Sequence, residues 1–188
     1  NWSGLSYDRT HGLVFANIMN LGQVSKMEPR EDSAAARGPY KRTSPWGSAY
    51  ARFWNPKTKV PCSAPPFGEL VAVDVNRGTI AWRVPLGVFD ELEARGFDQT
   101  GTPNIGGTIA TASGLIFIGA TIDERFRAFN AQTGALLWET TLDASAHATP
   151  MTFMGRNGRQ YVVVAAGGDG LLQSPPGPNI VAFALPKR

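Results

Sequence analysis

A chain of 188 residues with 43% hydrophobic and 18% charged residues is long enough to bury a substantial core and reads as globular rather than disordered. Its net charge of +3 gathers into no basic run beyond Lys57-Thr58-Lys59 and Lys187-Arg188, which argues against nucleic acid as a partner. No run of about 18 apolar residues exists to form a membrane-spanning helix, and the single cysteine, Cys62, excludes an internal disulfide and reads as a free, buried thiol.

The 21 glycines and 14 prolines favour many short strands over long helices. In chain order, residues 5–7 and 12–17 read as two strands around the polar turn Asp8-Arg9-Thr10-His11-Gly12, with His11 solvated in the turn. From 20 to 67 the periodicity fades, and a long excursion is expected between strands of one unit. Its aromatics Trp46, Tyr50, Phe53 and Trp54 would anchor it, and Ala34-Ala35-Ala36-Arg37 is compatible with a short helical turn. Residues 69–75 and 79–84 form the next hairpin; 85–102 is a connector with brief helical spacing at 88–96. Four strand-like runs follow at 104–111, 115–119, 125–130 and 135–141. Two more, 148–154 and 160–166, flank an Asn157-Gly158 turn, and 179–185 completes a last unit that lacks a fourth strand.

One pattern occurs twice. Ala72-Val73-Asp74-Val75-Asn76-Arg77-Gly78-Thr79-Ile80-Ala81-Trp82 and Ala128-Phe129-Asn130-Ala131-Gln132-Thr133-Gly134-Ala135-Leu136-Leu137-Trp138 stand 56 residues apart. Each reads as a hairpin whose Asx side chain bonds the turn backbone, whose Gly supplies a positive φ, and whose Trp packs. Units of this size bury their faces by stacking on one another.

The two elements resemble the tryptophan-docking repeats of quinoprotein alcohol and sugar dehydrogenases, which carry pyrroloquinoline quinone (PQQ). The likeness continues through Gly106-Gly107-Thr108-Ile109-Ala110-Thr111, Ala148-Thr149-Pro150-Met151-Thr152 and Val162-Val163-Val164-Ala165-Ala166-Gly167-Gly168. In order and spacing it is similar to the C-terminal part of the membrane-type glucose and quinate dehydrogenase branch.

That resemblance implies an all-β fold, a partial β-propeller of four-stranded antiparallel blades from an eight-bladed ring. Residues 1–188 would be the C-terminal segment of a single propeller domain, about two and three-quarter blades, with 20–67 inserted. It implies oxidation of a sugar, polyol or cyclic alcohol by hydride transfer to PQQ, with Ca²⁺ as Lewis acid and electrons passed to a membrane quinone, in the periplasm. The alternative is a non-catalytic propeller scaffold of the envelope, since fold does not fix function.

By the same resemblance, Asn1 and Trp2 would open a blade at the cofactor, and Asn104, Ile105 and Gly106 would form the loop beside the quinone plane. Ile105 departs from the Trp or Met of relatives. Asp169, Gly170 and Leu171 would line the pocket mouth, with Asp169 where the glucose branch carries His. His147 reads first as a packed or turn histidine. No pair of carboxylates looks catalytic, so the base and the metal ligands are expected upstream of Asn1, and the isolated piece is expected to be inactive and to self-associate through its open blade faces.

Overall fold

The computed structural model describes residues 4–30, 38–44 and 51–186; Asn1, Trp2, Trp46, Tyr50 and the 34–37 stretch lie outside them. The chain divides into two compact units, 1–20 with 65–188, and 21–64.

The larger unit is built from three antiparallel sheets. The first comprises β1 (Ser6–Asp8), β2 (Leu13–Met19), β7 (Gly68–Asp74) and β8 (Thr79–Pro85), in the order β1-β2-β7-β8. The second comprises β9 (Ile109–Ala110), β10 (Leu115–Ile118), β11 (Arg125–Asn130) and β12 (Leu136–Thr141), each paired to the next. The third holds β13 (Met151–Met154), β14 (Gln160–Ala166) and β15 (Asn179–Phe183) and is three-stranded among the described residues. The connector contributes a single helical turn, α1 (Asp90–Glu93). This is the antiparallel, nearly all-β pattern of a partial propeller.

The middle sheet is apolar on both faces. Ile116, Ile118 and Phe129 join Leu13, Phe15, Leu70 and Ala72 of the first sheet in one core, with Trp82 packed against it. Phe126 joins Val162, Val164 and Ala166 of the third sheet in a second core, with Phe117 and Phe183 against it. Successive strand residues point to opposite faces, so the alternation of Ile116, Phe117 and Ile118 serves both cores at once.

The repeated turn has one geometry. In Asp74 and Asn130 the side-chain Oδ1 accepts the backbone N–H groups two and three residues on, at 2.9 and 3.1 Å and at 2.9 and 3.0 Å. The fifth residue, Gly78 or Gly134, donates its N–H to the first carbonyl at 2.8 or 2.9 Å with φ +66° or +72°. Both repeats also carry a β-bulge immediately after their leading Ala, between Ala72 and Val73 and between Ala128 and Phe129. Two further copies of the turn are present. Asp8 to Gly12 is one, and Asn55 to Lys59 in the smaller unit is the other, with Lys59 at φ +58° in place of glycine.

Within the Asp8 turn, His11 is paired rather than free, its Nδ1 lying 2.6 Å from Asp8 Oδ2. Burial pushes the Asp8 carboxyl up, but hydrogen bonds from His11 and Thr10 outweigh it and hold the group below the usual carboxylate range.

Each repeat Trp lies between sheets. Trp82 donates Nε1–H to Ala131 O at 3.0 Å and covers Gly134, and Trp138 meets Phe183 edge-on at 5.1 Å. A Cβ on Gly134 would sit 2.7 Å from the Trp82 ring, so the glycine answers to packing as well as to its φ.

Two expectations need correction, and the excursion is more ordered than its pattern announced. Within it β3 (Gln23–Val24) pairs β6 (Ala51–Arg52), and β4 (Lys26–Pro29) pairs β5 (Tyr40–Thr43), one hairpin nested inside another. These strands are short and largely exposed, so they leave no apolar alternation to read. Residues 104–111 do not form one strand, since only Ile109–Ala110 pairs with β10 and Asn104 makes an isolated bridge to Thr121. Cys62 is exposed, not buried.

Gly78→Ala, which meets open space, is expected to destabilise the full-length protein by about 1 kcal/mol through its left-handed φ alone. Gly134→Ala should cost about 2 kcal/mol or more, because the Trp82 ring must also shift. Urea denaturation midpoints of the two variants check this, and equal losses would contradict a docking role for Trp82.

Candidate functional site

At one end of the strands of the larger unit, four short segments meet: the residues before β9, the β10–β11 connection, the β12–β13 connection, and the loop after β14. The residues before β9 are mostly buried, while the loop after β14 is exposed or half-buried apart from Leu172 and Ser174.

Asn104 is buried at 3% exposure, and its amide is engaged. Nδ2 donates to Ile18 O at 2.9 Å and Thr102 O at 3.2 Å, while Oδ1 accepts from Asn17 Nδ2 at 2.7 Å. Asn104 therefore fastens the end of β2 to the loop rather than presenting its amide outward. Its partner is left incomplete, because Asn17 Oδ1 is buried and has no hydrogen-bond partner. An orphaned buried acceptor is costly and suits a water or a ligand donor. Asn17 escaped the sequence reading, although it shares the face of Leu13 and Phe15 on β2, where a polar residue is out of place.

Ile105 is half-buried, and its N–H donates to Ala120 O at 2.9 Å. Gly106 is buried with φ +142°, and a Cβ there would approach His147 O at 2.8 Å and Ala120 Cα at 3.1 Å. Only glycine fits such a crossing.

Asp169 turns inward on its own loop. Its Oδ2 accepts the Leu172 N–H at 2.8 Å, its N–H donates to Ser174 Oγ at 2.9 Å, and its carbonyl accepts the Ser174 N–H at 2.9 Å. Gly170 is exposed and Leu171 half-buried at the tip, over a fully buried Leu172. Another buried polar atom without a partner, Ser145 Oγ, lies beside this loop, since Ser145 O accepts the Gly168 N–H at 3.0 Å.

His147 joins the two groups. Its Nδ1 lies 2.9 Å from both Ile105 O and Ala120 O, and its Nε2 lies 2.8 Å from Ser174 Oγ. Nothing in the residues around His147 announced this, because the three partners are 27 to 42 residues away and two of them are backbone carbonyls.

A charged cluster braces the β10–β11 connection. Arg127 and Asp123, with side chains 3% and 4% exposed, pair at 2.5 Å, and Arg127 Nε reaches Glu139 Oε2 at 2.6 Å. Thr121, the bridge partner of Asn104, donates its hydroxyl to Asp123 Oδ1 at 2.5 Å, and Asp123 Oδ2 accepts the Val88 N–H at 2.8 Å. Burial opposes the charge on neighbouring Arg125, but the carboxylates of Glu139, Asp90 and Asp123 outweigh it and raise the guanidinium above its ordinary value. The cluster is structural, holding the loops beneath the site.

Among the described residues, no group of three His, Cys, Asp or Glu could hold a metal ion. Ca²⁺ is thus not fitted by this set. For a flat quinone, the half-buried apolar Ile105 and the orphaned Asn17 Oδ1 are the features available, while the space beside Gly106 is taken by His147 O and Ala120. Asn1 and Trp2 lie outside the described residues.

Comparison with known proteins bears on what this end of the fold serves. Residues 1–162 match the model of the PQQ glucose/ethanol/alcohol dehydrogenase β-propeller domain. The chain is 36% identical to the quinate/shikimate dehydrogenase (quinone) of Acinetobacter baylyi, covering 100% of this chain and 25% of that protein. It is 35% identical to the quinoprotein glucose dehydrogenase of Escherichia coli, covering 98% of this chain and 25% of that one. The crystal structure of the quinohemoprotein alcohol dehydrogenase of Comamonas testosteroni superposes with a TM-score of 0.59 at 31% identity, over 89% of this chain and 22% of that one. The chain spans about a quarter of the length of these relatives.

Asp123→Asn is expected to destabilise the full-length protein by about 2 kcal/mol, because it leaves the buried Arg127 charge with only the partly exposed Glu139 to pair with. Denaturation midpoints check this, and a loss below about 1 kcal/mol, the worth of an exposed pair, would contradict the bracing role.

Proposed function

Because the chain belongs to the PQQ-dependent glucose, ethanol and alcohol dehydrogenase β-propeller family, we propose that the whole protein oxidises a sugar, polyol or cyclic alcohol in the periplasm, with PQQ and Ca²⁺ bound and a membrane quinone as electron acceptor. When bound, PQQ supplies the electrophile that takes hydride from the alcohol carbon, and Ca²⁺ supplies Lewis acidity.

The chain's own residues then bind and orient. Ile105 and Gly106 form part of the wall against the cofactor plane, with Asn104 holding that wall to β2 rather than touching the cofactor by its amide. Asn17 Oδ1 fixes orientation by accepting a hydrogen bond. Asp169, Gly170 and Leu171 shape the mouth. A carboxylate there, where an imidazole would be the other option, adds negative charge and removes donors. That combination favours a neutral polyhydroxylated substrate that donates hydrogen bonds and disfavours an anionic one.

The proton-accepting base and the metal ligands lie in the rest of the protein, since no described carboxylates pair at the loops. The observation that carries this reading is the match to the dehydrogenase family along nearly the whole chain, together with loops that converge at one end of the sheets. No described helix is long and apolar enough to cross a membrane.

Reconstitution of the full-length protein with PQQ and Ca²⁺, followed by dye reduction with glucose, polyols and quinate, tests the proposal. Turnover is expected with the intact protein and neutral polyols, and none with residues 1–188 alone. No turnover with any alcohol would favour a non-catalytic scaffold, and turnover by the isolated chain would refute a base outside it.

A further inference from the structure

We infer that His147 is a positioning residue that couples the loop facing the cofactor to the loop at the substrate mouth, an inference that rests on the dehydrogenase reading for the names of those two loops. Its ring bonds to both. The Nδ1 position faces two carbonyl oxygens, Ile105 O and Ala120 O, each at 2.9 Å, and neither can donate. Nδ1 therefore carries the proton. In the neutral ring Nε2 is then an acceptor, and Ser174 donates its one hydroxyl proton to it at 2.8 Å in preference to Asp169 O at 3.4 Å. The same Ser174 oxygen accepts the Asp169 N–H at 2.9 Å. A single directed chain runs from Asp169 N–H through Ser174 O–H and the imidazole to the carbonyl of Ile105.

The backbone around this chain is held in conformations that need support. Ala120, whose carbonyl accepts a hydrogen bond from His147 Nδ1–H, has φ +67°, and Gln173, immediately before Ser174, has φ +56°. Left-handed backbone at residues with a Cβ persists where the surroundings over-determine it, and such places gather at functional sites. His147 also contributes its own carbonyl to the crossing at Gly106, where a Cβ would come within 2.8 Å of it. The imidazole is half-buried rather than sealed in a core, and it holds one loop through each of its two nitrogens.

The two ring nitrogens can be tested apart. In His147→Asn the side-chain amide N–H falls near the Nδ1 position, keeping a donor for Ile105 O and Ala120 O while losing Ser174. In His147→Gln the amide reaches toward the Nε2 position, keeping a partner for Ser174 while losing the donor to the two carbonyls. Ser174→Ala removes the far partner and leaves the histidine.

The experiment uses the full-length protein and reads hydrogen exchange of the apo-protein, PQQ affinity by equilibrium titration, and KM at saturating PQQ. His147→Asn and Ser174→Ala are expected to speed exchange in 167–174 and raise KM by about tenfold, the worth of one hydrogen bond, with PQQ affinity kept within about twofold. His147→Gln is expected to speed exchange in 104–106 and 119–121 and weaken PQQ binding by about tenfold. Uniform loss across all segments and parameters, or wild-type behaviour in every variant, would overturn the coupling. Should the wild-type protein bind no PQQ, the dehydrogenase reading fails, while the apo-protein exchange pattern still decides whether His147 links the two loops.

Discussion

Everything in the larger unit depends on one constraint, that a sheet with two apolar faces must have a neighbour on each. The middle sheet meets it with fully buried Ile116 and Ile118 on one side and fully buried Phe126 on the other. Burying such side chains is worth roughly 1.5–3 kcal/mol each, far more than any hydrogen bond at the sheet margins. The smaller polar contacts set the register within that packing. Trp82 bonds Ala131 O and lies over Gly134, so the turn of one sheet is seated under the outer strand of the previous one. The Asx turn matters for this reason, because it offers a bare glycine to the ring.

Stacking in this way also decides where chemistry can be placed. Strand interiors are committed to the two cores, and the connections at one end are left to carry specialised residues. Beneath those connections lies the buried Arg127–Asp123 pair, to which the Thr121 hydroxyl is bonded. On that floor the segment at 104–106 and the loop at 169–174 are brought within reach of one imidazole. Precision at a site on loops demands such bracing, since errors of an ångström weaken catalysis.

Much of the scaffold was legible in the sequence because it repeats. The spacing of Asp74, Gly78 and Trp82 and of Asn130, Gly134 and Trp138 announced turns, φ signs and packing, and all appear in the structure. The copy at Asp8 was read as a turn but not as the same turn, since no Trp follows it at that spacing, and the copy at Asn55 was hidden by Lys59 in the glycine position. Paired strands in 21–64 were invisible because exposed hairpins of two to four residues carry no apolar period. The site was the least legible part. A motif pointed to Asn104, yet only the fold shows that its amide is engaged by Asn17, Ile18 and Thr102, and that Asn17 is the residue left with an unused acceptor. His147 acts through backbone carbonyls, and carbonyls have no letter in a sequence.

The central claim is that residues 104–106, with Asn17 behind them, form one wall of a PQQ site. A structure of the full-length protein with PQQ bound tests it most directly. The account predicts a ring face in van der Waals contact with Ile105 and Gly106 and a hydrogen bond donated to Asn17 Oδ1. PQQ bound elsewhere, with Asn17 Oδ1 still without a partner, would contradict it.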